Sequence, residues 1–524
     1  MRKKLLYPLL ASCLFACSDK DTSYEVVKND LRAPAYPLVT IDPYVSAWSM
    51  SDNLYDSPVR HWTGKDFPLI GVVKVDGVSY RFMGTEELEM NAIVPTSQQG
   101  DWTGRYTTEK PAGDWTSAGY DDSKWKSDRG AFGTKENEPT AKTQWGTRNI
   151  WVRRTVNIDR DLTGIPVYLE FSNDDDAVFY INGVKIHGTG TTCNKNKVVK
   201  LPDEALAVLK QGDNIIAAEC INPVGNGLLD FGLQIPKHQE TVFGNTAVQT
   251  SADVQPMQTH YAFTCGDVDL KVTFTAPLFM EDLKLLSRPV NYLTYSVAAR
   301  DGKEHDVEVY FEASPRWALD QPYQQSASKG YEADGLLYLK SGSKEQNILA
   351  KQGDDLRIDW GYFYMVSGKE NTAYSIGNST ELRKNFVNGT LNSASLEGED
   401  SNGNMALVRS YGKVKNVTDK IMLGYDDIYS IQYFGTNLRP YWNSKGDRTI
   451  EAEMLAAYNE YDKLLARCYA FDKKLMEDAS AAGGKEYAEL CALAYRQSIA
   501  AHKLVEAPNG DLLWLSKENN SNGC

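Results

Sequence analysis

Positive charge is in short supply: 56 Lys and Arg stand against 70 Asp and Glu, a formal charge of −14. This acidic balance excludes nucleic acid as a partner, because a phosphate backbone needs a basic face. Past the first residues no segment stays apolar for the ~18 residues that a spanning helix requires. None of the eight cysteines forms a C-x-x-C pair, so a zinc site is not expected, and neither is any cofactor. The G-x-S-x-G, H-E-x-x-H and P-loop signatures are missing as well, which removes the most familiar hydrolase and nucleotide-binding machinery.

What the chain does have begins at its start. Arg2, Lys3 and Lys4 precede an apolar run from Leu5 to Phe15, about a dozen residues, which is the length of a signal-peptide core. Leu14-Phe15-Ala16-Cys17 resembles a lipobox, and Ser18 to Ser23 reads as a polar tether. The expectation is an outer-membrane lipoprotein facing the periplasm or the cell surface. It would be cleaved before Cys17, lipidated there, and attached to the membrane through that lipid alone. Oxidising export permits disulfides. Cys193 and Cys220 fall in one expected domain and could pair, whereas the rest read as mostly buried thiols.

A chain of 524 residues is too long for one core, so two to four domains are expected. Ile70 to Val75, the Asp76-Gly77 turn and Ser79 to Phe82 read as a β-hairpin. Short strands between Gly and Asn turns continue from Gly100 to Leu233, including Ile150 to Val156, Ala177 to Ile181 before Asn182-Gly183, and Ile215 to Glu219. This block resembles the galactose-binding-like jelly roll carried by many glycosidases. Alternating runs resume at Val272 and persist to about residue 434. The fold class is therefore mainly β: a large β-sandwich (37–100 and 236–440) with an inserted β jelly roll (101–235), after a signal peptide (1–16) and tether (17–36).

From Thr449 the period changes. Leu455, Tyr458, Tyr461, Leu465 and Cys468 recur at helical spacing, as do Tyr487, Leu490, Cys491 and Ala494, with Gly483-Gly484 between them. The pattern predicts a helical hairpin, with His502 on its tail.

Several segments together resemble the secreted glutaminase A family of bacteria and fungi. They are Asp42-Pro43-Tyr44 through Arg60-His61-Trp62-Thr63-Gly64-Lys65, Leu286 to Val290, Leu423 to Phe434, Leu438 to Trp442, Ala492 to Gln497, and Ser516-Lys517-Glu518-Asn519. The resemblance implies a β-sandwich followed by an α/α-toroid, and hydrolysis of the glutamine side-chain amide to glutamate and ammonia. Against that pattern 449–524 covers only the first helices of the toroid, so the chain is expected to be truncated and inactive by itself. The alternatives are a surface glycan-binding accessory module and a glycoside hydrolase relative, so the partner is a small-molecule amide or a glycan.

Amide hydrolysis needs a nucleophile or activated water, a proton donor for ammonia, and oxyanion stabilisation. Lys517 and Glu518 are the catalytic candidates, a carboxylate beside an ammonium after a turn, although a solvated ion pair is the plainer reading. Arg60, His61, Trp62, Asp426, Asp427, Arg439, Tyr441 and Trp442 are the substrate-binding candidates. They either complete a cleft between domains or seal the domains together, and His61 also fits a hydrogen-bonded structural role. Three Ser-x-x-Lys pairs (Ser123/Lys126, Ser326/Lys329, Ser341/Lys344) lie in polar stretches that make poor nucleophile sites. Asp174-Asp175-Asp176 could bind calcium through oxygens, but a charged turn is the simpler reading and no metal is expected.

Overall fold

The computed structural model describes residues 28–86, 90–137, 140–223, 225–237, 241–322, 324–351, 357–391 and 403–516. The chain is mainly β and divides into two units, 1–86 with 242–524 and, between them in sequence, 87–241. Cys17 with the signal-peptide region, and Lys517 and Glu518, lie outside the described residues.

The discontinuous unit is built on two antiparallel-rich sheets. One has eight strands, running in order from Val248–Val254 through Gln258–Cys265, Val268–Thr275, Val290–Ala299, Asn416–Asp426, Tyr362–Gly368 and Leu336–Ser343 to Ser326–Ala333. The other has six, centred on Leu69–Val75, His305–Ala313 and Asn404–Val414. Side chains alternate across each strand, so Val73, Val309, Phe311 and Leu407 meet Phe263, Val272, Leu293 and Leu423 in one core. The opposite faces are also buried. Ile70, Val72, Tyr310 and Val408 lie under the helix Ser379–Val387 through Leu382 and Phe386. Tyr292, Tyr338, Tyr364 and Met422 lie under the helix Ile450–Ala500 through Met454, Ala457, Tyr461 and Leu464. Covering both faces of the sandwich explains why strands such as Val290–Ala299 are almost continuously apolar rather than strictly alternating.

The expected hairpin is present as Leu69–Val75 and Val78–Met83. Its turn residues Asp76 and Gly77 have φ of 48° and 85°, the left-handed pair that a two-residue turn demands.

The helix Ile450–Ala500 is two helical arms. Thr449 caps the first by accepting from the Ala452 amide at 3.2 Å. Gly484, at φ 82° and ψ −176°, interrupts it. The rings of Phe471 and Tyr495 are 5.1 Å apart, whereas 24 residues of straight helix would separate them by ~36 Å. The chain therefore reverses at Gly484, and Met476, Ala479, Ala488 and Ala492 pack together beside the turn, where small side chains allow close approach. His502 is not on the helical tail. It opens a strand, His502–Glu506, which pairs with Leu512–Ser516, and its Nδ1 approaches the Ser498 carbonyl at 2.6 Å.

The unit 87–241 contains two six-stranded sheets. Phe171, Phe179, Phe231, Ile150 and Val152 fill its core. Its boundary is wider than 101–235: Met90–Val94 pairs with Leu228–Pro236 and so belongs here. Cys193 and Cys220 do not pair. Cys193 is exposed, while Cys220 is buried with its Sγ 3.6 Å from the Asp174 carbonyl oxygen. Cys265 and Cys468 are buried thiols.

In the discontinuous unit the two chain crossings are held by one side chain. The Glu86 carboxylate accepts from the amides of Val242 at 2.7 Å and Phe243 at 2.9 Å.

Candidate functional site

The residues that converge come from four distant stretches. Asp42 ends the strand Tyr36–Asp42, His61 ends Arg60–His61, Asp427 follows Asn416–Asp426, and Lys503 lies in His502–Glu506. Lys503 Nζ donates to Asp42 Oδ2 at 2.7 Å and lies 3.0 Å from Asp427 Oδ2. All three side chains are buried. Burial acts to lower the Lys503 ammonium, but the two carboxylates outweigh it and hold the group well above its ordinary range. Further donors reach the same carboxylates. Asp42 Oδ1 accepts from the amides of Tyr44 at 2.8 Å and Val45 at 3.1 Å, and Ser430 Oγ donates to Asp427 Oδ2 at 2.6 Å.

His61 sits against the same loop. Its Nε2 is 2.8 Å from the Pro43 carbonyl, which can only accept, so Nε2 carries the proton. Nδ1 then accepts from Thr63 Oγ1 at 2.9 Å, and Thr63 Oγ1 in turn accepts from Arg357 Nη1 at 2.8 Å. Burial, followed by the nearby Arg357 charge, pulls His61 down to about 3. It is a neutral, saturated ring with no free lone pair, and it serves as a structural histidine.

Around this centre, Trp360 Nε1 donates to the Asp427 carbonyl at 2.8 Å, and Tyr44 meets the Trp360 ring edge-on at 5.7 Å. Lys351 bridges Asp320 at 3.1 Å and Asp359 at 2.7 Å. Asp426 differs from Asp427. It is half-buried, accepts from the Ile428 amide at 3.0 Å, and burial raises its carboxyl above the usual range.

Of the expected residues, Asp427 holds Lys503 and His61 holds the Pro43 carbonyl beside Asp42, while the others are spread around them. Arg60 pairs outward with Asp66 at 2.9 Å, and Trp62 is exposed, with its Nε1 3.3 Å from the Pro43 carbonyl. Arg439 stacks over Tyr429 at 4.7 Å. Tyr441 and Trp442 lie in a short 3-10 turn, with Trp442 buried. Next to that turn Pro440 bridges to Val505, and Ser444 donates to Glu506 at 2.9 Å. The Asp427 to Trp442 segment thus joins the strand His502–Glu506 to the sandwich through Lys503, Val505 and Glu506. Ser326 and Ser341 are fully buried strand residues, which removes both as nucleophiles. Among the described residues, no group of three His, Cys, Asp or Glu is placed to hold a metal ion.

Sequence reasoning missed Lys503 and Asp42 as a pair. The available signal was the strand–turn–strand pattern Lys503 to Glu506, Pro508 to Asp511 and Leu512 to Leu515, which argues against helix at Lys503.

Known protein families match three stretches of the chain. Residues 9–95 match the family model for a domain of unknown function (DUF4964), 257–478 match another (DUF5127), and 484–524 match the glutaminase A six helical-hairpin domain. Glutaminase A of Aspergillus oryzae (strain ATCC 42149 / RIB 40) is 28% identical over 296 residues. The chain is therefore similar to glutaminase A in sequence and carries the start of a glutaminase A-type helical domain model. That alignment covers 53% of this chain and 42% of the Aspergillus protein, so the glutaminase A-like chain spans less than half the length of the relative. Among solved structures, a Bacteroides uniformis β-glucuronidase is 9% identical with a TM-score of 0.23, covering 55% of this chain and 33% of its own. A glycosyl hydrolase family 2 member from Bacteroides cellulosilyticus DSM 14838 is 14% identical with a TM-score of 0.23, covering 56% and 38%. Likeness at that level carries no argument about activity.

Proposed function

We propose that this glutaminase A-like chain forms part of an exported amidohydrolase that converts the glutamine side-chain amide to glutamate and ammonia. The observation supporting this reading is the clamp of Lys503 by Asp42 and Asp427. It fixes the strand pair His502–Glu506 and Leu512–Ser516 to the sandwich, and the second of those strands leads directly into Lys517 and Glu518. In this reading Lys517 and Glu518 supply the reacting groups, and the clamp acts as a positioning device. Asp426, next to the clamp residue Asp427, is the proton-transfer candidate on the sandwich, because burial raises its carboxyl above the usual range. Cys17 carries the lipid that holds the protein at the outer membrane.

Ammonia release from L-glutamine by the purified protein, alongside Glu518→Gln and Asp426→Asn, is the direct test. Loss of a general acid or base should lower turnover by about 10²–10⁴-fold. If neither this chain nor its fusion to the later helices of a glutaminase A toroid releases ammonia, the amidohydrolase reading fails. Lipidation is checked separately, by labelling cells with an alkyne fatty acid and comparing Cys17→Ala.

A further inference from the structure

A cavity of about 210 Å³ opens between the short helix Leu283–Ser287 and the first arm of the helix Ile450–Ala500. Its charges are arranged symmetrically. The short-helix wall presents Asp282, Lys284 and Arg288, and the long-helix wall presents Glu460, Lys463 and Arg467, with two leucines between them. Each wall therefore carries two cations and one carboxylate.

The carboxylates and the guanidinium groups neutralise one another across the gap. Arg288 Nη1 donates to Glu460 Oε2 at 2.9 Å, and Arg467 Nη1 donates to Asp282 Oδ2 at 3.3 Å. Both arginines are further fixed, Arg288 by Glu453 at 3.1 Å and Arg467 by stacking over Phe279 at 4.2 Å. A guanidinium pinned in this way offers its remaining N–H groups without an ordering cost. Lys284 and Lys463 differ: among the described residues neither has a carboxylate within ion-pair distance. One uncompensated ammonium thus stands on each wall.

We infer that this cavity binds a short dicarboxylate, with one carboxylate directed to Lys284, the other to Lys463, and the methylene chain over the leucines. The size agrees, since 210 Å³ is below the ~300–1,000 Å³ of pockets that take drug-sized ligands and suits a metabolite of about ten heavy atoms. The inference is independent of the amide-hydrolysis reading, because it concerns binding at residues which that reading does not use.

The test is calorimetric titration of the purified protein at low salt with L-glutamate, and with L-glutamine and inorganic phosphate as controls. Saturable glutamate binding is expected, weakened at least tenfold in Lys284→Ala and in Lys463→Ala. Neither lysine makes an ion pair among the described residues, so both variants should keep the parent melting temperature. L-Glutamine, which lacks the second carboxylate, should bind at least tenfold more weakly than L-glutamate. Absence of saturable heat would overturn the inference. So would equal binding of glutamine or phosphate, or lysine variants that bind as the parent does.

Discussion

Lys503 Nζ and Asp42 Oδ2 lie 2.7 Å apart although 461 residues separate them, and both side chains are buried. Removing the ammonium leaves Asp42 and Asp427 facing each other without solvent. Lys503→Met is therefore expected to cost about 3–5 kcal/mol, the range found when one partner of a buried pair is deleted. Lys503→Arg keeps the charge and should lose less. Urea midpoints for the three proteins decide this, and a Lys503→Met midpoint equal to the parent's would refute the clamp.

A second buried contact sets a pH dependence. His305 Nδ1 is 2.7 Å from Asp76 Oδ2 and its Nε2 is 3.0 Å from Asp301 Oδ1, so one imidazole joins two turns. Hydrogen bonds to Asp76 and then Asp301 raise the imidazole above its ordinary range. Its contribution is complete below about pH 6.5, the unfolded value, and is lost as pH rises through the raised folded value. Asp76 and Asp301 are lowered, by the His305 bond and by the Lys303 amide respectively. Their contribution is present above roughly pH 4 and is lost as pH falls through their folded values. Stability measured from pH 5 to 9 should decline on the alkaline side in the parent and flatten in His305→Asn. Parallel curves would remove His305 as the cause.

Gly484 occupies φ 82° and ψ −176°, a region open essentially to glycine alone. Gly484→Ala should destabilise the helical hairpin by about 1–3 kcal/mol. The readout is helical ellipticity on heating. An unchanged transition would mean that the reversal does not depend on this dihedral.

Glu86 accepts from two consecutive amides, Val242 and Phe243, at the point where the chain leaves and re-enters the sandwich. Chain ends this close tolerate insertion and excision. Replacing residues 87–241 with a short Gly/Ser linker should leave a soluble remainder that unfolds cooperatively. Glu86→Ala in the whole chain should cost about 1–3 kcal/mol, because two buried amides lose their acceptor. If the excised protein aggregates while the parent is soluble, the sandwich does not fold without the insertion.

Much of the fold was legible because its signals are local. Asp76-Gly77 marks a turn whose two left-handed residues few other pairs could supply, and Thr449 and Gly484 mark where the helical hairpin starts and reverses. His502 reads as helix tail because it directly follows the periodic arm, although two apolar runs around Pro508-Asn509-Gly510-Asp511 carry the signal of the strand pair that forms there. Cys193 and Cys220 show the limit from the other side: sharing a domain permits a disulfide, but one thiol faces solvent and the other the core.

The chain by itself determined the alternation of strands, the turns, the helical arms and the family motifs, since each depends on residues within a few positions of one another. Only the tertiary structure decided that Asp427 joins Asp42 around Lys503, that His61 is neutral and saturated, and that Lys284 and Lys463 line one cavity from two different helices. A charge is governed by its partners and its distance from water, and folding brings those partners from hundreds of residues away.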